Sequence, residues 1–112
     1  DLDRRLYEDN VTYHIALIDN TGEVCAYVKV IISYEYADGV WVSMDWIYLN
    51  VECCDGYSAV IDENAQIYQD YGVRYCTISN SDGLNIKYKI KAYADCYGET
   101  SVDYEIIDRY YD

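Results

Sequence analysis

A chain of 112 residues with 21 acidic against 8 basic side chains carries a formal charge of −13, so nucleic-acid backbones and anionic membrane surfaces would repel it. No run approaches the roughly 18 apolar residues that a membrane span needs. At 52% hydrophobic residues the chain also lacks the composition of intrinsic disorder.

Sixteen Tyr and 2 Trp, with no Phe and no Pro, lean towards β structure. A tyrosine ring fits a pleated, half-buried surface while its hydroxyl stays wet. The chain opens Asp1-Leu2-Asp3-Arg4-Arg5 without an initiator Met, which reads as a processed or excised piece. Turn signals stand at Asp19-Asn20-Thr21-Gly22, Asp38-Gly39, Asp55-Gly56, Tyr71-Gly72, Ser81-Asp82-Gly83 and Gly98-Glu99. They leave seven strand-length segments, at 11–18, 24–36, 40–52, 57–61, 73–80, 84–96 and 100–110.

On the first segment His14 alternates with Thr12 and Ala16 and reads as an ordinary side chain on a sheet face. A loop over Ala37–Gly39 would pair the second and third segments so that Val28 meets Tyr48, Val30 meets Trp46, Ile32 meets Met44, Tyr34 meets Val42 and Tyr36 meets Val40. The reverse face would carry Cys25, Tyr27, Lys29, Ile31, Ser33 and Glu35 beside Trp41, Ser43, Asp45, Ile47, Leu49 and Val51. That is apolar enough to bind a partner, with Tyr27, Ile31, Trp41 and Ile47 as the candidate contact residues. The passage 58–70 reads as a short strand, a loop and an irregular stretch, with a short helix as the alternative. Over 84–96 the alternation is clean, and a loop at 97–99 would set Ala94 opposite Val102, Ala92 opposite Tyr104, Ile90 opposite Ile106 and Lys91 opposite Glu105. The row Lys87, Lys89, Lys91 then balances local acidity and guards an exposed strand.

Seven short strands joined by tight turns predict an all-β antiparallel β-sandwich, one domain over 1–112. A Cys on the second strand and a Trp on the third resemble the immunoglobulin-like class over about a third of the chain. No Tyr stands two residues before Cys76 or Cys96, so the tyrosine corner of that class is unmatched, and no function carries over.

Five cysteines, one histidine and no C-x-x-C spacing argue against zinc. Disulfides are the expected use: Cys25 with Cys53 or Cys54, the other member of that vicinal pair with Cys76, and Cys96 left over. Such usage points to an oxidising compartment, hence a secreted or cell-surface protein. Asp19–Glu23 and Asp62-Glu63-Asn64 have oxygens for calcium, but turn chemistry demands the same residues. Without a second His, a G-x-S-x-G elbow or a glycine-rich phosphate loop, no catalytic residue, metal or cofactor is assigned. The expectation is a non-enzymatic extracellular binding module, monomeric or weakly dimeric, acting in adhesion or protein interaction. A carbohydrate-binding module using exposed Trp and Tyr is the runner-up, and a small secreted carboxylate-dependent hydrolase the third reading.

Overall fold

The computed structural model describes residues 5–112. They form eight strands and no helix: β1 (Tyr7–Ile18), β2 (Val24–Ala37), β3 (Trp41–Cys53), β4 (Tyr57–Ile61), β5 (Gln66–Ile67), β6 (Tyr71–Asn80), β7 (Leu84–Ala94) and β8 (Thr100–Tyr111). Two antiparallel sheets result, one in the order β1-β2-β3, the other β4-β6-β7-β8 with β5 also pairing β6. The first sheet is a meander of sequence neighbours, the second runs likewise from β6 to β8 with β4 and β5 both on the free edge of β6, and the chain passes from one sheet to the other between β3 and β4. The all-β antiparallel sandwich is therefore as expected. Over 58–70 the chain forms β4, a loop and the two residues of β5, all tied along the edge of β6, and no helix.

Strands of 10 to 14 residues make the molecule long and thin, 63 × 20 × 20 Å. Its radius of gyration is 16.2 Å, against about 13 Å for a compact chain of 100 residues. In so narrow a sandwich few sites are enclosed on every side. Tyr34 and Tyr88 are the largest fully buried side chains, packed among Leu17, Ile32, Ile47, Ile78, Ile86 and Ile90. Burying such an aliphatic side chain contributes about 1.5–3 kcal/mol.

Three β-bulges set which side chains reach that core, and each adds one unpaired residue to one strand. The β2–β3 turn spans Asp38–Val40, where Gly39 has φ +74° and donates its N–H to the Cys96 carbonyl at 2.9 Å. The register from the turn is Tyr36 with Val42 and Tyr34 with Met44, and Asp45 is then extra. Beyond it Ile32 pairs with Ile47, Val30 with Leu49 and Val28 with Val51. The expected pairs, from Val28 with Tyr48 to Tyr36 with Val40, are thus displaced. The turn moves the register by two residues and the bulge by one more, and the odd step exchanges faces. Ile47 is fully buried, while Tyr48 is exposed.

At the other end of β2, Leu17 pairs with Ala26 and Ile18 with Val24, so Cys25 is the extra residue. Cys25 and Ala26 both turn inward, each 0% exposed, and Cys25 leaves the reverse face expected for it. In the β7–β8 hairpin the loop is Cys96–Gly98, closed by Asp95, whose carboxylate accepts the N–H groups of Tyr97 and Glu99 at 2.9 Å each. Ala92 therefore pairs with Val102 and Ile90 with Tyr104, a shift that keeps both faces. Gly98, at φ +79°, fits because a Cβ there would lie 2.6 Å from the Tyr36 ring.

The two long sides of the sandwich are closed differently. On one, Met44 N–H bonds the Gln69 carbonyl at 2.8 Å. Arg74 reaches out of β6 to donate Nη1 to the Ile47 carbonyl at 2.7 Å and Nη2 to the Asp62 carbonyl at 3.0 Å. Its guanidinium lies 5.7 Å from the Trp46 ring. On the other side Tyr13 hydroxyl meets Thr100 Oγ1 at 2.6 Å and Ile18 N–H meets the Tyr104 hydroxyl at 3.2 Å.

Candidate functional site

The outer face of the three-stranded sheet carries the candidate site. Register places its side chains in rows across β1, β2 and β3: Glu8, Glu35, Ser43; Asn10, Ser33, Trp46; Thr12, Ile31, Tyr48; His14, Lys29, Asn50; Ala16, Tyr27, Glu52. Tyr27 is 55% and Tyr48 52% exposed, and Ile31 and Trp46 are half-buried. The two tyrosines lie on neighbouring strands, about 13 Å apart along them, with the row His14, Lys29, Asn50 between. His14, Tyr27, Lys29, Asn50 and Glu52 line a shallow open depression there. Chemically this is a flat platform offering ring faces, aliphatic surface and, between them, hydrogen-bond donors and acceptors.

Of the residues singled out in the sequence, Tyr27 and Ile31 stand on this platform. Trp41, 38% exposed, sits on the same face but at the turn end, about 33 Å along the sheet from Tyr27. Ile47 faces the core. Trp46 and Tyr48 stand on the outer face in place of Ile47, because the extra residue Asp45 reverses the faces of β3 beyond it, while Trp41, before it, keeps the face expected for it. The signal was in the sequence: apolar Val42 and Met44, then Ile47, Leu49 and Val51, an alternation that skips one residue at Asp45.

The platform is bounded towards the turn by carboxylates. Glu8 stands directly opposite Glu35, with Asp45 nearby. Burial, the hydrogen bond to Glu8 and the charges of Glu8 and Asp45 together raise the Glu35 pKa.

The cysteines converge but do not bridge. Cys25 and Cys76 lie in the core, Cys53 packs against it, and Cys54 N–H donates to the Cys25 carbonyl at 2.9 Å. All five, Cys96 included, carry free thiols. The bulge explains why the bridges expected among Cys25, Cys53, Cys54 and Cys76 do not form. Ala26 rather than Cys25 stands opposite Cys53, and the Cys25 thiol turns inward onto the Leu17 carbonyl at 3.4 Å and the Tyr88 hydroxyl at 3.3 Å. Burial raises the pKa of Cys25 and Cys53 and pushes that of Cys76 up to about 12, so these thiols stay protonated and poor nucleophiles. His14, on the outer face, is no base for them.

Asp19 is occupied by its own turn. One carboxylate oxygen accepts Thr21 N–H at 2.8 Å, Thr21 Oγ1 at 2.7 Å and Glu23 N–H at 3.0 Å, and the other accepts the Tyr57 hydroxyl at 2.7 Å. Burial alone would raise its pKa; these four bonds outweigh it and hold the group at about 2. The bond to Asp19, with burial, lifts the Tyr57 phenol to about 12. Among the described residues no three His, Cys, Asp or Glu side chains are grouped to hold a metal ion.

The outer face of the second sheet is built on charge. Lys91, Lys89 and Lys87 stand opposite Asp103, Glu105 and Asp108. Lys91 lies over the Tyr71 and Tyr93 rings at 4.7 and 5.2 Å, and Lys87 over Tyr75 at 5.1 Å. The single opposition expected, Lys91 with Glu105, becomes three. Among the described residues no helix is long and apolar enough to cross a membrane. In comparisons with protein families, curated proteins and solved structures, nothing matches this chain.

Proposed function

We propose that this protein is a non-enzymatic binding module of a secreted or cell-surface protein, acting in adhesion or protein interaction through the outer face of its three-stranded sheet. The observation that carries the reading is the pair Tyr27 and Tyr48, each more than half exposed, on a face whose neighbouring positions hold Ile31 and Trp46. Large amphipathic rings left open beside aliphatic surface are the usual anchors of an interface. Acidity and cysteine number support an extracytoplasmic setting by composition; with every thiol free, disulfides do not add to it.

A glycan is the second reading, supported by the polar row His14, Lys29, Asn50 between the two rings: sugars offer C–H faces to aromatic side chains and hydroxyls to donors and acceptors. A carboxylate-dependent hydrolase would draw on Glu35, whose pKa is raised as a general acid requires, with Glu8 directly opposite it.

The test is a glycan array and partner pull-down with the wild type and the Tyr27→Ala/Tyr48→Ala double variant. Trp46 fluorescence serves as the reporter, since Trp46 lies one row from Tyr48. Binding lost in the double variant and kept in Trp41→Ala supports this face. Binding unaffected by the double variant overturns it.

A further inference from the structure

Strand β1 is the outer edge of its sheet, 12 residues long and without Lys, Arg or Pro, the residues that commonly guard an edge. In an antiparallel strand alternate residues direct both backbone groups to the same side. Two of the outward positions are already capped: the Asp9 carboxylate takes Asn10 N–H at 2.8 Å and the Tyr104 hydroxyl takes Ile18 N–H at 3.2 Å. By the same alternation Thr12, His14 and Ala16 present outward N–H and C=O groups between these caps.

We propose that this stretch pairs with the same stretch of a second copy of the chain, antiparallel, about a two-fold axis through the two His14 residues. This symmetric register sets His14 opposite His14 and Thr12 opposite Ala16 of the second copy, so all three uncapped residues form pairs that exchange two hydrogen bonds each. The side chains agree with it. On the interior face Tyr13 meets Ile15 and Val11 meets Leu17 of the second copy, adding cover to Val11, Tyr13 and Ile15, which are half-buried in the single chain. Antiparallel pairing also keeps Glu8 and Asp9 of the two copies at opposite ends, whereas a parallel pair would stack them. Of the other long edges, β3 is partly covered, Met44 by Gln69 and Ile47 by Arg74, and β8 is less suited, with Asp103, Glu105 and Asp108 on one face and a bulge at Ile107. Each copy carries −13, so the pair forms more readily in high salt. The inference is independent of the binding reading, although the dimer would join two Tyr27/Tyr48 platforms in one six-stranded sheet.

Sedimentation equilibrium of the intact chain from micromolar to millimolar concentration, in low and high salt, tests it. The weight-average mass is expected to climb from 13.1 kDa towards twice that value, more readily in high salt. Amide exchange at Thr12, His14 and Ala16 should slow together as concentration rises. His14→Pro removes one outward donor per copy without touching the ladder to β2, and should weaken association about tenfold or more. His14→Ala should associate like the wild type. A mass fixed at 13.1 kDa in millimolar, high-salt samples overturns the proposal. So does association with the slowed amides on β8, or association equal in the folded His14→Pro variant.

Discussion

The two long sides of this sandwich solve the same problem with different means. Where β3 faces β5 and β6, main chain bonds main chain through Met44 and Gln69, and a buried guanidinium ties carbonyls of both sheets. Gly72 permits the close approach, since a Cβ there would lie 2.5 Å from Ile47 Cδ1. Where β1 faces β8, the tips of Tyr13 and Tyr104 span the gap. The first side shields its edge strand with the chain's own loop. The second leaves an edge able to accept another strand. Closure by backbone removes free amides, whereas closure by side-chain hydroxyls holds the sheets at the right spacing and leaves the amides in place.

The difference can be broken first at Arg74. Arg74→Ala leaves the buried Ile47 carbonyl and the part-buried Asp62 carbonyl without this donor and opens a void beneath Trp46, and should cost about 3 kcal/mol of unfolding free energy in urea titration. Arg74→Lys, lacking the planar fork, should recover part of that loss. Asp19→Asn comes next, at about 2 kcal/mol at neutral pH, the equivalent of the gap between about 2 and the ordinary 3.8. Because the folded-state pKa is depressed, this stability is present above 3.8 and lost as pH falls from there through about 2. Acid titration of wild type and variant should therefore converge in that window.

On the open side the expected costs are smaller. Tyr13→Phe and Tyr104→Phe should each lose about 1 kcal/mol or less by the same titration. Tyr104→Phe also frees the Ile18 N–H and should speed amide exchange there. The smallest effect is expected at Glu35, whose pKa is raised, so its sign is opposite to that of Asp19: its charge disfavours the fold above its pKa and the penalty fades as pH falls. Glu35→Gln should raise the neutral-pH Tm slightly, with no difference from wild type in acid.

How far the sequence could be read varies along the chain. The turn residues delimited the strands closely: 24–36 against Val24–Ala37, 40–52 against Trp41–Cys53, and 57–61 matching Tyr57–Ile61. Alternation over Leu84–Ala94 assigned its faces correctly even though the turn centre was displaced, because a shift of two leaves parity unchanged. The candidate site fared less well. Tyr27, Ile31 and Trp41 were placed on the face they occupy, while Ile47 was set on the outer face and Trp46 and Tyr48 in the core for want of one residue, Asp45, in the count along β3. Arg74 gave no sign in the sequence of its place between the sheets. Its partners, the carbonyls of Ile47 and Asp62, belong to segments 27 and 12 residues away.

The division follows from the range of the forces. Strand propensity, turn chemistry and the alternation of apolar residues act over a few neighbours, so the all-β class and the strand boundaries were already present in the order of residues. Which residue is left unpaired in a ladder is decided by how two sheets fit. Cys25 turns inward because Leu17 and Tyr88 receive its thiol there, and Ile47 does so because Gly72 leaves room for it. One unpaired residue moves every side chain beyond it to the opposite face. Packing therefore settled where the cysteines lie, which aromatic rings meet solvent and which edge stays open.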